Sequence, residues 1–278
     1  MKQSPLVSIV VPSLNQGKFI KQTLDSIFSQ DYPRIEVIVM DACSKDNTIS
    51  ILRSFEQKLK VKSQKLKEDE LRSKTHDLKS TFLWMSEKDK GQADAINKGM
   101  KMAKGDIVGY INSDDYYEAG ALNKIMTFFQ NCPHAMWVTG DCRIVDENGR
   151  EIQRFVRWYK RLLRYFTLSS ILPIANPVAQ PSTFWRRELM KKVGYFDENL
   201  CYAFDYDFWL RMMNYSRGVI QETLSSFRIH GGSKGGKEYY RQFDEEQKVA
   251  NRYVRSKVVQ LFHRMHARAI TFLYGWIK

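Results

Sequence analysis

The apolar positions of this chain alternate between two rhythms. Val7 to Val11, Ile35 to Met40 and Asp106 to Asn112 are short, nearly continuous apolar runs that predict buried strands. Between and after them the spacing changes to three and four residues. Phe19, Ile20, Leu24, Ile27 and Phe28 form one such set, Thr48 to Phe55 a second, Ala93, Ile96, Asn97, Met100 and Ala103 a third, and Leu122, Ile125, Met126 and Phe129 a fourth. Each predicts a helix with one buried face. Thr81 to Met85 predicts a further strand. Strands without polar alternation, separated by helices, predict a mostly parallel sheet flanked by helices on both faces.

The second half is less regular. Glu147-Asn148-Gly149 between Ile144-Val145 and Ile152 predicts a hairpin around an Asn-Gly turn. Gln180 to Trp185 predicts a strand, Asp207 to Met213 the start of a helix, and Val219-Ile220 a last strand. The stretch from Gln57 to Lys79 is dense in Lys, Glu, Asp and Ser and reads as an exposed insertion or a solvated helix.

Two segments are amphipathic and basic at once. Phe155, Trp158, Tyr159, Leu162, Leu163 and Phe166 fall on one helical face, with Arg154, Arg157, Lys160, Arg161 and Arg164 on the rest. Val254, Val258, Leu261, Phe262, Met265, Ala269, Phe272, Leu273 and Trp276 repeat the pattern among Arg252, Arg255, Lys257, Arg264 and Arg268. Two readings stay open for both. The helices lie in an anionic membrane interface, or they pack on the core and show solvent a positive face.

Composition narrows the class. The 278 residues carry a net charge of +13, which suits a phosphorylated substrate, anionic lipid or nucleic acid. The four cysteines (Cys43, Cys132, Cys142 and Cys201) show neither CxxC nor zinc-ligand spacing and are expected to be reduced thiols. Leu6 to Val11, ended by Pro12, is too short for a signal segment, so the expected location is the cytoplasm, with docking to the cytoplasmic face of a membrane left open. No run approaches the ~18 apolar residues of a membrane span.

The candidate chemistry begins at Asn112-Ser113-Asp114-Asp115, directly after a predicted buried strand. Ligands of open α/β sheets bind at the carboxyl ends of strands. Adjacent carboxylates repel unless a cation joins them, so a divalent metal holding a phosphate-bearing substrate is the economical reading. A second acidic pair stands among aromatics in Phe204-Asp205-Tyr206-Asp207-Phe208. Asp207 is expected to cap the following helix, leaving Asp205 free to face a pocket as a general base. Arg228-Ile229-His230 precedes the basic, glycine-rich stretch Gly231 to Lys237, a loop suited to closing on phosphates. That stretch has the GxxxxGK spacing of a P-loop, but Glu238 stands where the magnesium-binding hydroxyl belongs, so a nucleotide hydrolase is rejected. No GxGxxG follows the first strand, which disfavours a dinucleotide oxidoreductase. A nucleic-acid-binding protein would use the two basic segments but leaves the ordered acids unexplained, so no nucleic acid partner is expected.

Seven segments in order resemble the family 2 glycosyltransferases of GT-A fold: 7–15, 41–48, 89–99, 112–115, 180–184, 204–211 and 228–230. Together they run from about Pro5 to Ser233. The resemblance implies an α/β fold with a Rossmann-like nucleotide-binding half at 1–115 and an acceptor-binding half at 116–232. Residues 233–278 would then form a basic loop and a helical extension. It implies an inverting transfer from a nucleotide-diphosphate sugar, most often a UDP-sugar, to a hydroxyl of a saccharide or lipid-linked saccharide. By the same resemblance Pro12, Ser13 and Asn15 line the nucleotide pocket, and Asp41 hydrogen-bonds the base. Lys90, Gly91 and Asp94 border the donor. Asp114 contacts ribose or sugar, Asp115 holds Mn²⁺ or Mg²⁺, His230 approaches diphosphate or metal, and Asp205 is the catalytic base. Three departures stand out: Phe204 replaces the Glu that often precedes the base, Ala42-Cys43 replace a smaller, more flexible pair, and the region from Gln57 to Lys79 is longer and more charged than the family pattern. An inactive sugar-nucleotide-binding domain is the alternative, disfavoured by the presence of both Asp115 and Asp205.

Overall fold

A computed structural model describes residues 4–70, 80–166, 168–233 and 239–277. Strands β1 (Val7–Ser13), β2 (Ile35–Asp41), β3 (Thr81–Ser86) and β4 (Ile107–Tyr110) alternate with helices α1 (Ile20–Phe28), α2 (Thr48–Glu70) and α3 (Gln92–Met102). A short strand β5 (Tyr116–Tyr117), helix α4 (Ala121–Asn131) and the long strand β6 (Trp137–Val145) follow. Next come α5 (Arg154–Tyr165), a single turn α6 (Leu168–Ile171), β7 (Thr183–Arg186), a second short turn α7 (Met190–Val193), α8 (Phe204–Met212) and β8 (Arg217–Arg228). Helices α9 (Tyr239–Tyr253) and α10 (Lys257–Ile277) complete the described chain.

All eight strands join one sheet in the order β3-β2-β1-β4-β7-β6-β8-β5. The first four are mutually parallel, β7 runs against both its neighbours, and β6 and β8 are parallel. The expected α/β architecture is therefore present, with every position of β1 and β2 buried because helices cover both faces. On one face Ile20, Leu24, Ile27, Leu52, Leu122 and Ile125 pack on Val7, Ile9, Val11, Val37 and Val39. On the other, Ile96 and Met100 of α3 and Phe208 and Trp209 of α8 pack on Val10, Ile38, Val108, Trp137 and Trp185. Val249 and Ala250 of α9 belong to this second core, so the segment expected as an extension supplies buried side chains to it.

Several elements differ from their expected form. Helix α2 runs on to Glu70, so the polar stretch after Gln57 is helical that far; residues 71–79 lie outside the described chain. The Asn148-Gly149 turn forms, with Gly149 at φ 80° and an Ile152 N–H donating to the Ile144 carbonyl at 2.8 Å. The return is a single bridge, Val145 to Glu151, before the chain enters α5. Gln180 to Ser182 make one tight helical turn ahead of β7.

Helix α5 turns its apolar stripe to solvent, one of the two orientations its pattern left open. Phe155, Trp158, Leu162, Tyr165 and Phe166 are exposed, whereas Arg164 is buried. The cause is Asp141, which stands on a bulge of β6 at 1% exposure and faces the helix. A bulge re-aims the side chain it carries, and a buried carboxylate is tolerable only when paired. Arg157 Nε donates to Asp141 Oδ2 at 2.8 Å and Arg164 donates to Oδ1, while Arg164 also donates to the Pro177 carbonyl at 3.0 Å. Arg157 and Arg164 thus lie on the inner side, while Arg154 and Arg161 stay exposed. Arg164→Leu should lower unfolding free energy by about 3 kcal/mol in urea titration, because Asp141 loses a buried partner. Trp158→Ser, on the outer face, should cost under roughly 0.5 kcal/mol. The reverse order would place the apolar stripe inward.

Candidate functional site

The carboxyl ends of the parallel strands form a single edge. Ser13, Asp41 and Ser86 are register partners in one row, the last residues of β1, β2 and β3. The Asp41 carboxylate accepts from the Ser44 N–H at 2.9 Å, the Ser86 hydroxyl at 2.7 Å and the Ser44 hydroxyl. Cys43 takes a left-handed conformation at φ 60° to make this turn, where the resemblance favours more flexible residues. Asn15, also left-handed at φ 53°, accepts the Lys45 N–H at 2.8 Å and so ties the β1 loop to the β2 loop. Beside Pro12, the buried Ser13 hydroxyl has no partner, a polar atom awaiting one.

Lys90, Gly91 and Asp94 border the same edge at the start of α3. The Asp94 carboxylate accepts the Lys90 N–H at 2.9 Å, and that bond, more than the nearby Lys98, holds its pKa below the usual carboxylate range. Gly91 stands at φ 134°, which only glycine adopts readily, and opens the helix without a side-chain cap. The free N–H groups there suit an anion. Helix α3 lies close against β1, since a Cβ on Gly99 would stand 2.5 Å from the Val10 side chain. Gln92 donates to the Asn112 side chain at 2.7 Å, which brings the helix start to the end of β4.

The two adjacent acids there have opposite surroundings. Asp115 is fully buried: its Oδ1 accepts the Arg228 N–H at 2.8 Å and its Oδ2 the Asn112 amide at 3.3 Å. Burial, with the neighbouring Asp114 charge, pushes its carboxyl well above the ordinary range. Asp114 keeps some exposure, and its Oδ2 lies 2.9 Å from His230 Nε2. His230 Nδ1 accepts the Gly232 N–H at 3.1 Å, so the imidazole hydrogen facing Asp114 stands on Nε2. The Phe19 ring backs the imidazole at 4.6 Å. Arg228 lays its guanidinium 4.5 Å over the same Phe19 ring and donates to Gln22 at 2.6 Å.

Asp205 occupies the first turn of α8, anchored by Phe208 and Trp209 in an aromatic cluster: Phe196 lies 4.4 Å from Phe208, and Trp137 stacks on Trp209 at 6.3 Å. Asp207 is not the cap expected of it. It pairs with Arg211 at 2.8 Å and accepts the Tyr253 hydroxyl at 2.7 Å. The chain leading into the helix is held from another element: Glu245 of α9 accepts the N–H groups of Cys201, Tyr202 and Ala203 at 3.0, 2.6 and 2.6 Å. Asp205 itself is pushed up to about 6 by burial, against the pull of the Tyr206 N–H and the Lys160 charge. Glu246, buried close by, is pushed up to about 7 by its own burial.

The two acidic groups belong to one region. Tyr110, fully buried at the end of β4, has its phenol raised by burial and further by the charges of both Asp205 and Asp115. Gln180, the other residue at this junction, donates to the Tyr110 carbonyl at 2.8 Å. Sequence reasoning missed Glu245, Lys160, Glu246 and the tethering role of Arg228. Arg228 lay in the Arg228-Ile229-His230 segment and Lys160 in the first basic amphipathic one; Glu245 and Glu246 carried no signal.

The profile of glycosyl transferase family 2 matches residues 8–194. An uncharacterized glycosyltransferase of Rickettsia typhi is 26% identical over 236 residues, covering 83% of this chain and 67% of its own. Among solved structures, the mannosyltransferase PcManGT of Pyrobaculum calidifontis, in complex with GDP-Man and Mn²⁺, superimposes with a TM-score of 0.68 at 22% identity, over 99% of this chain and 72% of that one. TarS 1–349 of S. aureus in complex with UDP-GlcNAc superimposes with a TM-score of 0.61 at 21% identity, over 91% and 67%. These structures share the GT-A fold.

The anchor supplied by Glu245 carries a testable cost. Glu245→Ala should lower stability by about 1–3 kcal/mol in chemical denaturation, since three N–H groups lose a charged acceptor, and Glu245→Gln, which keeps an acceptor oxygen, should recover much of it.

Proposed function

The chain belongs to glycosyl transferase family 2 and is a glycosyltransferase, and from that premise we infer that it is an inverting enzyme acting on a UDP-sugar. The acceptor is a hydroxyl of a saccharide or a lipid-linked saccharide. The observation that carries this reading is the placement of a half-buried Asp205, with a carboxyl near 6, in electrostatic reach of the same Tyr110 that senses Asp115. At neutral pH that carboxylate is ionised and basic enough to take a proton from an acceptor hydroxyl. The hydroxyl oxygen bonds to the anomeric carbon, the bond from that carbon to the diphosphate oxygen breaks, and the diphosphate leaves with the electron pair. The donor base lies along Pro12, Ser13, Asn15 and Asp41, where the partnerless Ser13 hydroxyl offers a bond. The diphosphate lies by Lys90, Gly91 and the free N–H groups of α3, with Asp94 holding that turn.

A divalent cation fits this site at Asp114 and His230 rather than at Asp115. A carboxylate oxygen and an imidazole nitrogen already converge there, and a cation would replace the hydrogen between them. Among the described residues no third His, Cys, Asp or Glu joins them, so donor phosphate oxygens complete the set. Bound Mn²⁺ or Mg²⁺ would offset charge on the departing diphosphate. Asp115 instead holds the turn that presents Asp114. The four cysteines are unpaired, in keeping with a reducing cytoplasm.

Asp205→Asn should leave UDP-sugar affinity unchanged in calorimetry and cut turnover by roughly 10²–10⁴. In the parent enzyme turnover should fall as pH drops through about 6, where the raised Asp205 carboxyl takes up its proton. A profile flat to pH 5, or an active Asn variant, removes Asp205 from the role. Asp114→Ala should abolish the Mn²⁺ dependence of donor binding while leaving the thermal midpoint near the parent's. Asp115→Ala should lower that midpoint instead. Loss of metal dependence in a stable Asp115→Ala protein would return the ligand role to Asp115.

A further inference from the structure

The excess positive charge of this chain is confined to two acid-free segments. Residues 152–187 contain seven Arg or Lys and residues 247–278 another seven, with no Asp or Glu in either. Together they carry +14 against a total of +13, so the remainder of the chain is at −1. The structure puts the helices of both segments side by side. The Tyr159 hydroxyl of α5 lies 2.7 Å from His266 Nε2 of α10, with the two rings stacked at 5.9 Å.

The outer faces of the pair are apolar. On α5, Phe155, Trp158, Leu162 and Phe166 are 58%, 57%, 41% and 55% exposed. On α10, Val258, Leu261, Phe262 and Met265 are 62%, 50%, 52% and 57% exposed. Each set follows helical spacing and forms one stripe. The stripes adjoin, since Tyr159 is one turn from Phe155 and Leu162, and His266 is one turn from Phe262. Both stripes face away from the body, because Arg164 and His263 occupy the inner sides and are buried. Arg154, Arg161, Lys257, Arg264 and Arg268 are exposed around them.

We propose that α5 and α10 together form a docking surface for an anionic phospholipid bilayer, with the aromatic and aliphatic side chains in the acyl boundary and the arginines among the headgroups. The occupant follows from charge and shape. A water-facing array of Trp, Phe, Leu and Met marks an interaction site, and its predominantly cationic rim matches a negatively charged, laterally extended partner. Neither helix is long and apolar enough to cross a membrane among the described residues, so the association is peripheral. It rests on the glycosyltransferase reading only for its consequence. Lys160, on the inner side of α5, lies in electrostatic reach of Asp205, so the docked helix would hold the proton acceptor close to the membrane surface, where a lipid-linked acceptor would be presented.

Vesicle flotation of the full chain, without donor or acceptor, tests this. With vesicles of about one third phosphatidylglycerol in phosphatidylcholine the protein should float, with pure phosphatidylcholine it should remain below, and rising salt should weaken the binding. The double variant Trp158→Ser/Phe262→Ser, which changes exposed side chains only, should lose roughly tenfold or more in vesicle affinity. Failure to float at low salt overturns the proposal. So does a double variant that binds like the parent, which would mean charge adsorption alone. Sedimentation of the parent as a dimer that the double variant abolishes would assign the face to a second copy and overturn it equally. None of these outcomes bears on donor binding or turnover, which are read separately.

Discussion

One buried carboxylate organises the site. Asp115 sits with no exposure between the turn after β4 and the end of β8, and it accepts the Arg228 N–H. A charge so placed is tolerated only while its partners stay put. The bond therefore fixes two things together. It sets the turn that directs Asp114 toward solvent, and it sets the final residue of β8, two positions before His230. The Arg228 side chain adds a second clamp by lying on Phe19, which also backs the histidine. Donor-side chemistry thus depends on a contact between residues 113 positions apart.

The acceptor side is built differently. Asp205 owes its position to packing, through Phe208 and Trp209 beneath it, and to Glu245 above it. Its environment is a cluster of mixed charge in which burial raises both Asp205 and Glu246 and lowers Lys160. Moderately buried carboxyls of this kind serve as proton acceptors near neutral pH because water is partly excluded from them. The residues proposed for the donor are held by backbone register, and Asp205 by side-chain contacts between helices.

This difference explains what the sequence disclosed. Strands β1, β2 and β4 were legible because burial on both faces leaves a continuous apolar run, and the residues at their ends inherit a known edge. The pairing of Ser13 with Asp41 follows directly from that. The division of labour between Asp114 and Asp115 was not legible, since adjacent acids look alike until a distant N–H claims one of them. The orientation of helix α5 was open for a related reason. Its periodicity allows the aromatic face inward or outward, and Asp141 on the β6 bulge decides it, because stranding a buried charge costs more than leaving a few aromatics wet. The hold on the entry to α8 was invisible, because local rules favour Asp207 as a cap whereas the carboxylate that binds residues 201–203 comes from Glu245 in another helix.

The segment matched by the family profile ends at residue 194. Asp205 and the Glu245 carboxylate that holds the chain leading into its helix both lie beyond this limit. A substitution in α9 that displaces Glu245 would therefore reach Asp205 through residues 201–203, without passing through the matched segment.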